Sequence, residues 1–292
     1  MLFDRIESRQ PIDKGWSCDK KYRVRIDGTD YLLRIAHQEN YEKCRRQFEN
    51  MQCVQRLGIP MNDPIEFGRC SEGVYTLLRF IDGQDAEAYI SALPRHQQYA
   101  CGLEAGRILA RIHTIPAPAD AQDWESRFNR KIDRKIAMYQ ACHLKYNGGE
   151  AFLEYLANNR HLLKNRPQSY QHGDYHIGNM MIDRDGALTI IDFEKDDHGD
   201  PWEEFNRIVW SAQAAPAFAS GMVDGYFGGE IPQEFWDLLA LYFCSNALGS
   251  LPWAVSYGER EIRVMLAQGA QILRWYDNMR TTLPAWYKEG KA

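Results

Sequence analysis

No apolar run in this 292-residue chain approaches the ~18 residues of a membrane span. Its seven cysteines are scattered without a Cys-x-x-Cys pair. An odd, unpatterned set excludes a disulfide framework or a zinc site and fits thiols in a reducing compartment. Positive charge is not in excess: 35 basic residues against 40 acidic ones give a formal charge of −5. A general nucleic-acid binder would carry a basic footprint. There is no Gly-x-x-x-x-Gly-Lys-Ser/Thr run, so a P-loop is excluded. Internal repeats, low-complexity tracts and long linkers are also missing. The first residues, Met1-Leu2-Phe3-Asp4-Arg5-Ile6-Glu7, carry charges where a signal peptide needs an apolar core. The expectation is a cytoplasmic protein with no nucleic-acid and no membrane partner.

What is present is ample core material, 45% apolar residues, in a length suited to one large or two small domains. Residues up to about Ile81 read as a small sheet with one helix. Tyr22 to Ile26 and Tyr31 to Ile35 alternate, with Asp27-Gly28-Thr29-Asp30 turning between them. A helix from about Asn40 to Leu57 follows, ended by Gly58-Ile59-Pro60. Val74 to Ile81 is a further strand. Beyond it the pattern is mainly helical: Gln98–Ile112, two stretches between Asp123 and Leu163, Trp202–Gln213, Gln233–Leu248 and Glu259–Arg280. This predicts an α+β chain with a sheet-rich part over 1–82 and a larger helical part over 83–292.

The most informative stretch is His172-Gly173-Asp174-Tyr175-His176-Ile177-Gly178-Asn179, followed by Ile190-Ile191-Asp192-Phe193-Glu194. Asn179 to Ile182 and Leu188 to Ile191 read as strands, and Asp183-Arg184-Asp185-Gly186 is turn chemistry. An antiparallel hairpin folded there brings Asn179 and Asp192 to the same end. Both offer oxygen ligands of the kind magnesium takes alongside substrate phosphates. Asp174 can hold an attacking hydroxyl. Together these are the polar groups that phosphoryl transfer needs.

The pattern His-x-Asp-x-x-x-x-Asn, then Ile-Asp-Phe, resembles the aminoglycoside phosphotransferase and choline kinase group, which shares the protein-kinase-like bilobal fold. The resemblance implies Asp174 as catalytic base, Asn179 and Asp192 as Mg2+ ligands, and His172 as a structural brace of the loop. Tyr31-Leu32-Leu33-Arg34-Ile35 matches the strand that usually carries a nucleotide-binding lysine, so Arg34 takes that role. An arginine is always charged and grips phosphate bidentately. The family pairs that cation with a helical glutamate. Glu49 is the best match and Glu42 the fallback, although Glu49 also stands one turn after Arg45. Lys14 to Lys21 is the candidate phosphate loop, with Ser17 reaching phosphate oxygens.

On the acceptor side, Glu194, Asp197, Glu203 and Glu204 follow the metal residues, where the family contacts its acceptor. Such a run suits a cationic acceptor, and is otherwise a solvated face. Asp200 is expected to cap the helix near Trp202. Arg127, Arg130, Lys131, Arg134 and Lys135 form a basic cluster on one helix. It either meets a phosphate or acidic substrate or lies in solvent. The expected activity is transfer of the γ-phosphate of ATP or GTP to a hydroxyl of a small molecule. An aminoglycoside antibiotic ranks first as acceptor, followed by choline, homoserine, methylthioribose or a ketosamine. A nucleotide-binding module without catalysis is the alternative of another class.

Overall fold

The computed structural model describes residues 1–13 and 19–291. In chain order, strands β1 (Ser8–Pro11), β2 (Lys20–Ile26) and β3 (Thr29–Ala36) precede helix α1 (Tyr41–Gln55). Strands β4 (Pro64–Cys70), β5 (Gly73–Arg79) and β6 (Gly83–Asp85) follow. Helices α2 (Ala86–Ser91), α3 (Arg95–Ile112), α4 (Trp124–Ala141) and α5 (Glu150–Asn159) come next. Then come β7 (Ser169–Gln171), β8 (Met180–Asp183), β9 (Leu188–Ile190) and β10 (Asp197–Gly199). The chain ends with α6 (Ile208–Ala214), α7 (Pro216–Phe227), α8 (Gln233–Val255), α9 (Glu259–Trp275) and α10 (Ala285–Lys291). These elements form two compact units, Met1–Tyr89 with Asn179–Asp196, and Ile90–Gly178 with Asp197–Ala292. A sheet-rich unit and a helical unit agree with the α+β expectation. The partition differs from a single break after residue 82, because the hairpin β8–β9 packs with the first unit.

The first unit holds a five-stranded antiparallel sheet in the order β1-β2-β3-β5-β4. The alternation in β2 puts Val24 and Ile26 into the core with Leu33, Ile35, Tyr75 and Leu77. Arg23 and Arg25 point the other way and both bond Asp30 across the turn. Asp27 and Gly28 take φ of 48° and 75°, the backbone a tight two-residue hairpin requires. A second, three-stranded sheet has the order β6-β8-β9, with Met180 opposite Ile190 and Ile182 opposite Leu188. Asp183 Oδ1 accepts from the amides of Asp185 and Ala187 and closes the turn. The amide of Ile190 donates to the carbonyl of Pro60 at 2.9 Å, tying the hairpin to the loop after α1.

In the second unit, helices α3 and α7 meet backbone to backbone. A Cβ on Gly102 or Gly106 would stand 2.1 Å from the carbonyl oxygen of Phe218 or Met222. Gly221 and Gly225 face Tyr99 and Leu103 in the same way. Helix α7 was not expected, because Pro216–Phe227 is buried nearly all round and shows no apolar stripe. The expected helix over Trp202–Gln213 is instead a 3-10 segment, Glu203–Arg207, followed by α6. Helix α8 corrects another expectation. By length and composition it could cross a membrane, yet two thirds of its apolar window is buried within the fold (67%). That is the pattern of a core helix. Its Tyr242 packs edge-on against Phe128 and receives the indole N–H of Trp124 at 3.1 Å. Among the described tryptophans, Trp124, Trp236, Trp275 and Trp286 are buried in the core, Trp202 and Trp210 are half-buried, and Trp253 is exposed.

Candidate active site

In the first unit the hairpin does bring Asn179 and Asp192 together. The amide of Ile191 donates to the carbonyl of Asn179 at 3.1 Å, so the two residues leave the same end of the ladder. Asp192 adopts φ 68°, ψ 59°, the left-handed region that a non-glycine residue enters at a cost of about 1 kcal/mol or more. That kink starts the 3-10 turn Phe193–Lys195, which buries Phe193 and turns Glu194 back toward β2 and β3. There Glu194 pairs with Arg34 and, at 3.4 Å, with Lys21. Arg34 also bonds Asp19 at 2.8 Å. From α1, Gln47 donates to the carbonyl of Glu194 at 2.5 Å and Asn50 to Asp196 at 2.6 Å.

The electrostatics of this cluster follow from its burial. Burial disfavours the Glu194 carboxylate, but Arg34 and then Lys21 outweigh it and hold the group down at about 2. Asp192 is pushed upward, first by burial and then by the negative charge of Glu194. A divalent cation at Asp192 would relieve that repulsion.

Two expectations are corrected here. Glu49 does not brace Arg34. It pairs with Arg45 at 2.7 Å on the exposed side of α1, and Glu42 bonds the same arginine. Glu194 occupies the place expected of Glu49, and so belongs to the Arg34 cluster rather than to an acceptor surface. Ser17 and the loop around it lie outside the described residues.

In the second unit the loop after β7 presents Asp174. Gly173 takes φ 84°, which turns the chain out of the strand. The buried His172 ring accepts the amide of Asp174 at 3.3 Å and meets Tyr175 edge-on, in keeping with a brace. Glu204, fully buried, accepts from the amides of Gly173 at 3.0 Å and Tyr175 at 3.3 Å. It therefore holds the loop, and is no acceptor contact. Glu203 pairs with Lys131 at 3.0 Å, and Asp197 with Arg127 at 3.2 Å. Each expected acceptor carboxylate thus has a partner inside the protein. Asp200 does cap, accepting from the amide of Trp202 at 2.9 Å, and it also takes Arg166 at 2.7 Å and the Tyr242 hydroxyl at 2.6 Å. Arg207, not anticipated, places Nε 3.2 Å from Asp174 Oδ1, and His176 lies 3.8 Å from the same oxygen. No spacing pattern announces Arg207. It faces Asp174 only because the 3-10 segment ends there.

The family model for the phosphotransferase enzyme family matches residues 8–239. The chain belongs to that family. No curated protein matches the sequence. Among solved structures, a thermostable mutant of aminoglycoside phosphotransferase APH(4)-Ia bound to ADP and hygromycin B is similar at 17% identity and a TM-score of 0.66. That match covers 93% of this chain and 95% of the other. A putative aminoglycoside phosphotransferase from Ralstonia eutropha is 15% identical with a TM-score of 0.67, over 93% and 95% of the two chains. A choline/ethanolamine kinase family protein from Mesorhizobium loti is likewise 15% identical, TM-score 0.67, covering 97% and 92%. At these identities the likeness establishes the kinase-like fold. At the open end of the hairpin, Asn179 and Asp192 carry oxygen donors of the type magnesium takes. Two protein ligands with the remainder from phosphate and water is how this hard cation is usually held.

Proposed function

We propose that the protein is a small-molecule O-phosphotransferase, moving the γ-phosphate of a nucleoside triphosphate, ATP or GTP, to a substrate hydroxyl. The observation that carries this reading is Asp192. A non-glycine residue in left-handed backbone, at the open end of a hairpin beside Asn179, is strain of the kind kept at functional sites. Asn179 and Asp192 would hold magnesium, which supplies charge neutralisation at the phosphates. Arg34, held by Glu194 and Asp19, faces the phosphates that do not react. Asp174 orients the hydroxyl and takes its proton. Most of the rate enhancement is then positioning and electrostatics. The acidic residues that favoured an aminoglycoside or another cationic acceptor are engaged by Arg34, Lys131, Arg127 and loop amides. The geometry therefore lends no support to a cationic acceptor.

The test is nucleotide binding and consumption with ATP and GTP, with and without magnesium, in the native chain and two variants. Asp192→Ala should remove the magnesium-dependent part of nucleotide binding. Asp174→Ala should keep that binding and lose turnover. Near-normal turnover in Asp174→Ala, or no magnesium-dependent nucleotide binding in the native chain, would sink the proposal.

A further inference from the structure

Helix α4 carries a basic stripe, Arg127, Lys131 and Lys135, at i, i+4 and i+8, which helical geometry places on one face. The first two members are matched by carboxylates: Arg127 by Asp197 and Lys131 by Glu203. The third is not. Lys135 Nζ finds Ser245 Oγ at 3.4 Å and pairs with no carboxylate among the described residues. Its alkyl chain lies over Gly249, where a Cβ would come within 3.0 Å of Cε, so a glycine leaves the space the lysine uses. Arg130 and Arg134, on the same helix, are exposed, and Arg134 adds its charge to the field at Lys135.

A second cation nearby is also incompletely used. Arg207 approaches Asp174 through Nε, but the contact is too poorly aligned for a hydrogen bond, and that nitrogen is buried. Its terminal nitrogens donate to no described residue, while its side chain keeps 28% of its surface open. Lys131, Lys135 and Arg207 all act on the one carboxylate of Glu203. Three cations therefore share a small region with two carboxylates, Glu203 and Asp174.

Building on the kinase reading above, we infer that the acceptor carries an anionic group, a phosphate ester or a carboxylate, gripped by Arg207 and Lys135 beside Asp174. The planar fork of an arginine suits either anion. Lys131 stays with Glu203 and adds to the positive field. The group pairs with Lys135 and the free edge of Arg207, while the acceptor hydroxyl goes to Asp174. A cationic acceptor would meet like charge there, which disfavours it. Burial, and then Lys131, lower the Lys135 amine to about 7. An anion at that amine restores its charge, so binding takes up a proton near neutral pH.

Isothermal calorimetry of the full chain with sulfate, and separately with acetate, tests this at pH about 7.5 in two buffers of different ionisation heat. Neither anion titrates there. The expected result is saturable binding of at least one anion, weakened at least about tenfold in Lys135→Met and Arg207→Gln, and unchanged in Lys164→Met. Proton uptake should accompany binding in the native chain and vanish in Lys135→Arg, which keeps the charge and the binding. That last variant also covers the case in which Lys135→Met fails to fold. Preference for sulfate assigns a phosphate ester, and preference for acetate assigns a carboxylate. No saturable binding of either, or binding indifferent to Lys135 and Arg207, overturns the proposal. Magnesium-dependent ATP binding, measured on the same samples, reports on the kinase reading separately.

Discussion

The Nε of Arg207 lies 3.2 Å from Oδ1 of Asp174, so the proposed base sits against a guanidinium before any substrate arrives. Replacing Asp174 by Asn keeps the shape and removes proton acceptance. Turnover should fall by about 10²–10⁴, with ATP affinity nearly unchanged. Steady-state ADP release and nucleotide titration read the two effects apart.

Glu204 should be worth more to stability than its neighbours in the acidic run. It is buried and takes two loop amides. Glu204→Ala leaves those donors without a partner, a loss of about 1–3 kcal/mol. Urea unfolding should show a lower midpoint, together with reduced turnover as the Asp174 loop loosens. Glu203→Ala, by contrast, frees Lys131 and should act mainly on acceptor KM.

Glu194 and Glu49 should separate cleanly in nucleotide titrations. Glu194→Ala removes the main partner of Arg34 and should change ATP affinity severalfold. Glu49→Ala breaks only an exposed pair with Arg45, and such pairs contribute little. ATP affinity should stay within about twofold. The reverse outcome would restore Glu49 as the brace of Arg34.

Stability should depend on pH through Lys135. Its amine is lowered from 10.5 to about 7 in the fold. Between those values the unfolded chain binds more protons, so this group makes stability rise with pH across roughly 7 to 10. Below about 7 its full cost is present. The groups facing it are Lys131, Arg134, Arg207 and Glu203. Lys135→Met should therefore be more stable relative to the native chain at pH about 7 than at pH about 10. Urea midpoints at the two pH values give the comparison.

The contact between α3 and α7 gives a prediction opposite in sign to helix propensity. Gly106→Ala would usually stabilise an exposed helix by up to about 1 kcal/mol. Here the new Cβ meets the Met222 carbonyl at 2.1 Å, so the helices must part. Destabilisation of about 1–3 kcal/mol is expected from overpacking, read as a lower melting temperature.

The sequence made the ladder elements legible where one face is buried and the other wet, as in β2 and β3. The hairpin end at Asn179 and Asp192 was legible too, since turn residues at Asp183–Gly186 leave little freedom of register. Helix α7 was not legible, because small residues packed on all sides carry no period. Nor was the exchange of partners at Arg34. A helical glutamate and one placed by the kink at Asp192 compete for the same cation, and only tertiary geometry decides between them. Arg207 escaped notice for a related reason, and Lys135 stood only as one member of a basic cluster with two open readings, an anionic substrate or solvent. A basic helix reads as solvated until the carboxylates opposite it have been counted.

The pairing of β6 with β8, and of Ile190 with Pro60, has a kinetic consequence. The first unit is discontinuous: a strand formed by residue 85 gains its neighbour only when residues 181–183 have been made. Contacts of such long sequence separation form slowly, because a large loop must close first. On the ribosome, therefore, the first sheet emerges early while its proposed magnesium ligands arrive nearly a hundred residues later. The strained turn at Asp192 is among the last parts of that unit to be set.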